Sequence, residues 1–267
     1  MTVQPAEGTL TELVNGVLTI SLNRPDHGNS IPANTVPDVV RMIRSAGQSP
    51  EVRCVVLQGV GKHFCTGGDL RAYSQELADG PEALQRSFKQ RLDNVSDLIM
   101  ALVALDRPVI ARCRGVVAGA GLMFALTSDW VIADDSATFM FAHRRAGLSP
   151  DGGVSYFLPR IVGERTAAQL ILGGQLVKAD RAKELGLVTE LVAADALDET
   201  VFRLAGELAG APQLAMRTAK RLIYSSSADN LQAHLAAETQ GIVEAVGHPD
   251  FAEGVTAFLE KRRPDFS

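Results

Sequence analysis

The chain has 267 residues, 46% of them hydrophobic and 21% charged, with a formal net charge of −5, which suits one large domain, or a domain with an appendage, around a substantial core. The acidic balance offers no basic stripe for nucleic acid, and the longest apolar run, Val116 to Leu126, is too short to span a bilayer. An anionic ligand would need local positive charge instead.

Taken from the N-terminus, "MTVQPAEGTL" lacks the basic and apolar regions of a signal peptide. "TLTELVNGVLTISLNRP" is two runs of alternating apolar residues joined by Asn15-Gly16, a dipeptide whose tolerance of positive φ predicts a two-residue hairpin. Val36, Val39, Val40 and Ile43 then recur at helical spacing, with Pro37 in the first turn. "RCVVLQG" reads as a buried strand ending in glycine. Leu84, Phe88, Leu92, Val95, Leu98, Ile99 and Leu102 mark the apolar stripe of a long amphipathic helix that stops before Pro108. A second buried strand, "PVIARC", runs into "GVVAGAGLMFALTSD". Beyond it, "DWVIA", "ATFMF" and "VTELVA" read as strands, and "ERTAAQLILGG" and "KADRAKELGL" as helices closed by glycine. From about Asp195 the pattern is helical to the end. Cys54, Cys65 and Cys113 have neither metal nor redox spacing and suit a reducing cytoplasm as small core residues. No cluster of histidines, cysteines and carboxylates has metal-ligand spacing, so no metal is expected.

Two glycine-rich loops each follow a buried strand: "VVLQGVGKHFCTGGDL" and "PVIARCRGVVAGAGLMFA". A dinucleotide fingerprint fails in the second because the third glycine position falls on Phe124, and neither loop has the Gly-Lys-Ser/Thr of a P-loop. Two readings stand. The loops either aim one backbone N–H each at a single oxygen, as an oxyanion requires, or the glycines only permit tight turns and close packing.

The segments "ISLNRPDHGNSIP", "GKHFCTGGDL", "GVVAGAGLMFALTSDWVIA", "GLSPDGGVSYFLPRIVG", "ADRAKELGLV" and "FAEGVTAFLEKRRPDF" resemble, in order and spacing, the crotonase family of enoyl-CoA hydratases and isomerases. The resemblance implies an α/β spiral of ββα units over residues 1–195 and a C-terminal helical trimerisation region over 196–267, giving a homotrimer or a hexamer of paired trimers. It implies an acyl-CoA thioester as substrate, no separate cofactor, and an oxyanion hole whose donors here are the N–H groups of Thr66 and Ala120. Hydratases of the family carry two glutamates, and the matching positions are Met123 and His143. Neither is a carboxylate.

Asp151, in "GLSPDGG", is the carboxylate left at a matching place, and some isomerases of the family use such an aspartate as the proton carrier. It is equally a good cap for the helix that "GGVSYFLPR" implies. His143 reads as a base, a hydrogen-bonding partner of the acyl group, or a strand-end residue. By resemblance, Arg24 and Lys62 approach the nucleotide, the backbone from Phe64 through Gly67 and Gly68 meets the adenine, and Phe258 and Lys261 reach the nucleotide of a neighbouring subunit. Residue by residue, Phe258 also reads as core and "KRR" as a solvated basic end. Asp69 reads as a brace for the first loop, His27 and His63 as solvent-facing, and Ser155 and Tyr156 as candidate pocket residues. Double-bond isomerisation is the favoured activity. Hydration through Asp151 and His143 is the enzymatic rival, and a catalytically silent acyl-CoA-binding protein is the rival of another class.

Overall fold

Asn15 and Gly16 take φ of 49° and 80°, the left-handed pair a two-residue hairpin needs, and β1 (Thr9–Val14) pairs antiparallel with β2 (Val17–Leu22) across it. A computed structural model describes residues 3–68, 73–74, 76–227 and 229–266. From β2 the sheet continues through β3 (Cys54–Gly59), β4 (Val109–Cys113), β6 (Trp130–Asp134) and β9 (Glu190–Val192), every pairing after the hairpin being parallel. Parallel neighbours need crossovers. Helix α1 (Val36–Gln48) links β2 to β3, and α2 (Pro81–Val103) precedes β4. Between β4 and β6 come β5 (Val116–Ala118) and α3 (Ala120–Thr127). A second, three-stranded sheet joins β5 to β7 (Thr138–Met140) and β8 (Leu176–Lys178). The short strand β8, with its exposed ends, has no alternation long enough to read in the sequence.

The period-2 alternation of the strands divides the core. Leu18, Ile20, Val55, Leu57, Val109, Ala111, Val131 and Ala133 turn to the larger cluster, with Val39, Val40 and Ile43 of α1 and Leu98 and Leu102 of α2. Val17, Cys54, Val56, Ile110 and Ile132 turn to the other face and meet Leu197, Val201, Ala205, Leu208 and Ala209 of α7 (Leu197–Ala209). Both faces are covered, which is why these strands are apolar over most of their length. Sheet packing thus continues past residue 195.

In chain order helices α4 (Val154–Val162) and α5 (Glu164–Gly173) fall between β7 and β8, and α6 (Ala179–Glu184) between β8 and β9. The three last helices, α8 (Gln213–Ser225), α9 (Leu231–Val246) and α10 (Pro249–Glu260), bury few side chains. Leu231, Ile242, Leu259 and Phe258 are exposed in the single chain, Phe258 at 82%. The upstream half of the α2 stripe is another departure. Only Leu98, Ala101 and Leu102 of that helix are buried, because Phe88, Leu92 and Val95 face a cavity rather than the core.

Two outcomes are expected of this packing. A Cβ on Gly121 would lie 2.4 Å from the Cys65 carbonyl oxygen, whereas one on Gly206, inside α7, meets nothing within 4 Å. Gly121→Ala should lower Tm by about 3–10 °C, from an overpacking cost of about 1–3 kcal/mol. Gly206→Ala should leave Tm unchanged or raise it through helix propensity, both read by differential scanning calorimetry. The three cysteines are free and buried. Burial pushes the Cys54 thiol up to about 12 and the Cys65 thiol up to about 11, and raises Cys113 as well. A thiol-disulfide reagent at pH 8 should therefore label none of them in the native protein and all three after unfolding.

Candidate active site

The two glycine-rich loops leave the carboxyl ends of β3 and β4, the side of a parallel sheet where ligands bind, and backbone bonds tie them together. Cys65 and Val117 form a parallel bridge. The Cys65 N–H donates to the Val116 carbonyl at 3.2 Å, and the Ala118 N–H to the Cys65 carbonyl at 2.9 Å. Val116 N–H also donates to His63 Nδ1 at 3.2 Å, which keeps that nitrogen unprotonated. Burial, with Lys62 beside it, lowers the His63 pKa accordingly. His63 is therefore a brace between the loops, not a solvent-facing residue. From the other side Asn29 clamps the first loop, donating through Nδ2 to the Val60 and His63 carbonyls at 3.0 and 2.7 Å. A Cβ on Gly119 would lie 2.7 Å from the Gly67 Cα, so this approach of the two backbones requires glycine.

An inventory of the amides corrects one expectation. Thr66 N–H donates to the Gly28 carbonyl at 2.9 Å, so it is not a donor for a ligand oxygen. Gly67 and Gly121 N–H groups oppose the burial that raises the Cys65 pKa. The N–H groups of Gly68 and Ala120 engage no partner among the described residues. For Ala120 the reason is positional: it opens α3, and the first N–H groups of a helix have no intrahelical acceptor.

These loops form one wall of a cavity of about 240 Å³ lined by Thr66, Gly67, Gly68, Ala120, Met123, His143 and Asp151, with the α2 face from Phe88 to Leu98 opposite. His143 opens a 3-10 turn, His143–Ala146, closed by Gly147 at φ 70°. The return of the chain, pinned by Leu148 N–H to the His143 carbonyl at 3.0 Å, sets His143 Nε2 2.9 Å from Asp151 Oδ1. The imidazole is mostly covered and the carboxyl group half-exposed. The capping role for Asp151 is not what its side chain does. Helix α4 starts after Gly153 with no side-chain cap, and it is the Asp151 carbonyl that accepts the Val154 N–H at 3.1 Å. Met123 is buried and lines the same cavity. A Cβ on Gly152 would sit 3.5 Å from the Met123 Cβ, so the methionine packs on the turn that carries Asp151.

The other residues singled out in the sequence fall in three places. Lys62 is exposed on the first loop, and Arg24 gives Nη1 to the Ser30 carbonyl at 3.0 Å while bracing the turn below it. Phe64 is fully buried with its N–H bound to the Arg114 carbonyl at 2.9 Å. It is a core residue, with no amide to offer adenine. Phe258 and Lys261 sit at the end of α10, and the cleft that Phe258 lines shares no residue with the cavity. The core reading of Phe258 is overturned by its exposure. Ser155 and Tyr156 face outward, Tyr156 stacking on Arg160 at 3.6 Å. Asp69 lies outside the described residues. Among the described residues no helix is long and apolar enough to cross a membrane.

A sequence profile of the enoyl-CoA hydratase/isomerase family matches residues 12–267. The 1,2-epoxyphenylacetyl-CoA isomerase of Escherichia coli K12 is 34% identical over 261 residues, covering 98% of each chain. The 4-chlorobenzoyl coenzyme A dehalogenase-2 of an Arthrobacter species is 31% identical over 251 residues, covering 94% of this chain and 90% of that one. The crystal structure of an enoyl-CoA hydratase from Polaromonas sp. JS666 superposes with a TM-score of 0.89 at 31% identity, covering 97% of this chain and 99% of that one. Fold, loop arrangement and full-length similarity agree, and the chain belongs to the enoyl-CoA hydratase/isomerase, or crotonase, family.

Proposed function

We propose that the protein shifts the double bond of an enoyl-CoA thioester, with Asp151 as the proton carrier. The reading rests on one observation above the others: the Asp151 carboxyl group, held by His143 at 2.9 Å, lines the same cavity as Gly68 and Ala120. The thioester oxygen accepts hydrogen bonds from the Gly68 and Ala120 N–H groups. Asp151 takes a proton from the acyl carbon, and the electron pair released moves toward that oxygen as an enolate. The same carboxyl group then returns the proton to a carbon two bonds away, so one carboxylate completes the reaction and no cofactor is consumed. Two preorganised donors favour the enolate over the ground-state carbonyl, and losing one such donor typically costs about 3 kcal/mol of barrier. The isomerase relative supports the reading by analogy. Coenzyme A enters only as part of the substrate, approached by Lys62 and Arg24 from the first loop and the turn beneath it.

Hydration is the second reading, favoured by the His143–Asp151 pair and by the hydratase structure of the same fold. Turnover of matched 2-enoyl- and 3-enoyl-CoA separates the two: interconversion of the isomers is expected, and rapid hydration of the 2-enoyl thioester without interconversion would overturn the isomerase assignment. Binding without either reaction would mark a silent acyl-CoA-binding protein. Asp151→Asn should keep fold and CoA affinity and lose about 10²–10⁴-fold in turnover, together with exchange of substrate hydrogens in deuterated water. Ala120→Pro removes one N–H at a helix position that tolerates proline. Full activity in that folded variant would refute the oxyanion hole.

We further propose that residues 196–267 assemble the chain into a trimer or a pair of trimers, placing Phe258 and Lys261 against a neighbour's nucleotide. The support is the run of exposed apolar residues on α8, α9 and α10, Ile223, Leu231, Ile242, Phe258 and Leu259, a larger patch than monomers usually leave in water. Sedimentation velocity should give a mass that is a multiple of three chains. A stable monomer would refute it.

A further inference from the structure

We infer that the acyl group carries a carboxylate at its far end, received by Arg91; the inference rests on the acyl-CoA reading of the cavity and specifies its substrate class. Arg91 lies on the cavity face of α2, between Phe88 and Leu92, and lines the cavity. Among the described lining residues it is the one lysine or arginine. Its guanidinium carbon sits 5.0 Å from the Tyr73 ring centroid and 5.3 Å from that of Phe88, within the range of cation–π attraction. Nη2 is paired with Glu76 Oε1, whose other oxygen accepts the Ser87 hydroxyl at 3.1 Å. Nη1 is buried and has no hydrogen-bond partner among the described residues.

A cation placed on an otherwise apolar acyl wall is a costly choice for a hydrocarbon tail. A wall built only for such a tail would carry leucine or methionine there, as it does at Leu92, Leu98 and Met123. Glu76 occupies one edge of the guanidinium fork, and the rings of Tyr73 and Phe88 hold it in position. The remaining donor suits one oxygen of a carboxylate, since a hydrogen bond between two charged groups is stronger than a neutral one. Helix geometry gives the reach. Leu98 lies seven residues along the same face, about 10 Å at 1.5 Å per residue, and a Cβ on Gly153, two residues after Asp151, would lie 3.8 Å from Cδ1 of its neighbour Ile99. A short dicarboxylic acyl chain therefore spans from the proton carrier to the cation. His143 and Asp151 line the same cavity as Arg91 and bond to each other rather than to it, so the two charged groups serve different parts of one ligand.

The test is equilibrium binding by isothermal titration calorimetry of unreactive saturated thioesters, in three pairs matched for length: glutaryl- and pentanoyl-CoA, adipoyl- and hexanoyl-CoA, suberyl- and octanoyl-CoA. In at least one pair the wild-type protein should bind the diacid thioester about tenfold tighter or more. Arg91→Met should erase that preference while leaving the monoacid affinity within about threefold, and Arg91→Lys should restore part of it. Glu76→Gln, which removes the competing carboxylate, should tighten the diacid further. A wild type with no diacid preference in any pair, or an Arg91→Met variant that loses both ligands equally, would overturn the inference while leaving the acyl-CoA reading intact. Failure of every thioester to bind would overturn that reading, and this inference with it.

Discussion

Two hydrogen bonds, Cys65 N–H to the Val116 carbonyl and Ala118 N–H to the Cys65 carbonyl, hold the first glycine loop against the second, and the geometry of the cavity follows from them. The loops come from different strands, β3 and β4, and have no covalent reason to meet. Once bridged, Gly67 and Gly119 are forced into backbone contact, and Gly121 packs against the Cys65 carbonyl. Side chains at any of these positions would push the loops apart. The same bridge decides which amides are left over. Thr66 is turned back toward Gly28, while the N–H groups of Gly68 and Ala120 have no acceptor among the described residues. The absence of reactive side chains in "GVVAGAG" is then understandable, because what this stretch contributes is backbone.

The helices beyond the sheet are attached by two different kinds of force. Helix α7 buries an apolar face on β2, β3, β4 and β6. Helix α8 is held chiefly by polar contacts: Lys220 Nζ meets Asp129 Oδ2 and the Arg107 carbonyl at 2.7 and 2.8 Å, Tyr224 donates to Asp129 Oδ1 at 2.8 Å, and Arg217 pairs with Asp106 at 2.7 Å. Burial and the Asp129 carboxylate raise the Tyr224 pKa, keeping the hydroxyl a donor. Lys220 and Asp129 are nearly covered, and pairs so buried add little net stability, yet a misplaced helix would strand both charges. Orientation of α8 is thus specified largely by polar contacts, with Met216 packed against the α7 cluster and Ile223 left outside.

Local signals carried most of the fold. The Asn15-Gly16 hairpin, the alternating strands β3, β4 and β6 and the periodic helix α1 each depend on residues adjacent in sequence, and each forms where that pattern predicts. The readings that changed depend on distant partners. Thr66 loses its free amide to Gly28, 38 positions earlier by residue number. Asp151 turns from helix α4 to His143, and an apolar stripe cannot reveal that half of α2 faces a cavity instead of a core. Phe258 is apolar in composition and exposed in the chain. Periodicity reports that a face is apolar and says nothing of what covers it.

Met123 and His143, at the positions where the family resemblance implies glutamates, bear on water as much as on protons. A water held for attack needs two to four polar partners in a defined arrangement, and a general base alone does not orient it. In this cavity His143 and Asp151 hydrogen-bond to each other, while Met123 on the adjoining wall offers a thioether and methylenes. Water near Asp151 would therefore find the His143–Asp151 pair but no second carboxylate among the described lining residues. A proton on the carboxyl group needs less: one oxygen within reach of two carbons, and an environment that does not compete for it. His143 engages Asp151 Oδ1 at 2.9 Å, which restrains the carboxyl plane. Under the proposed isomerase reading, a site with one carboxylate lacks the second group that water activation requires and retains the one that proton transfer requires.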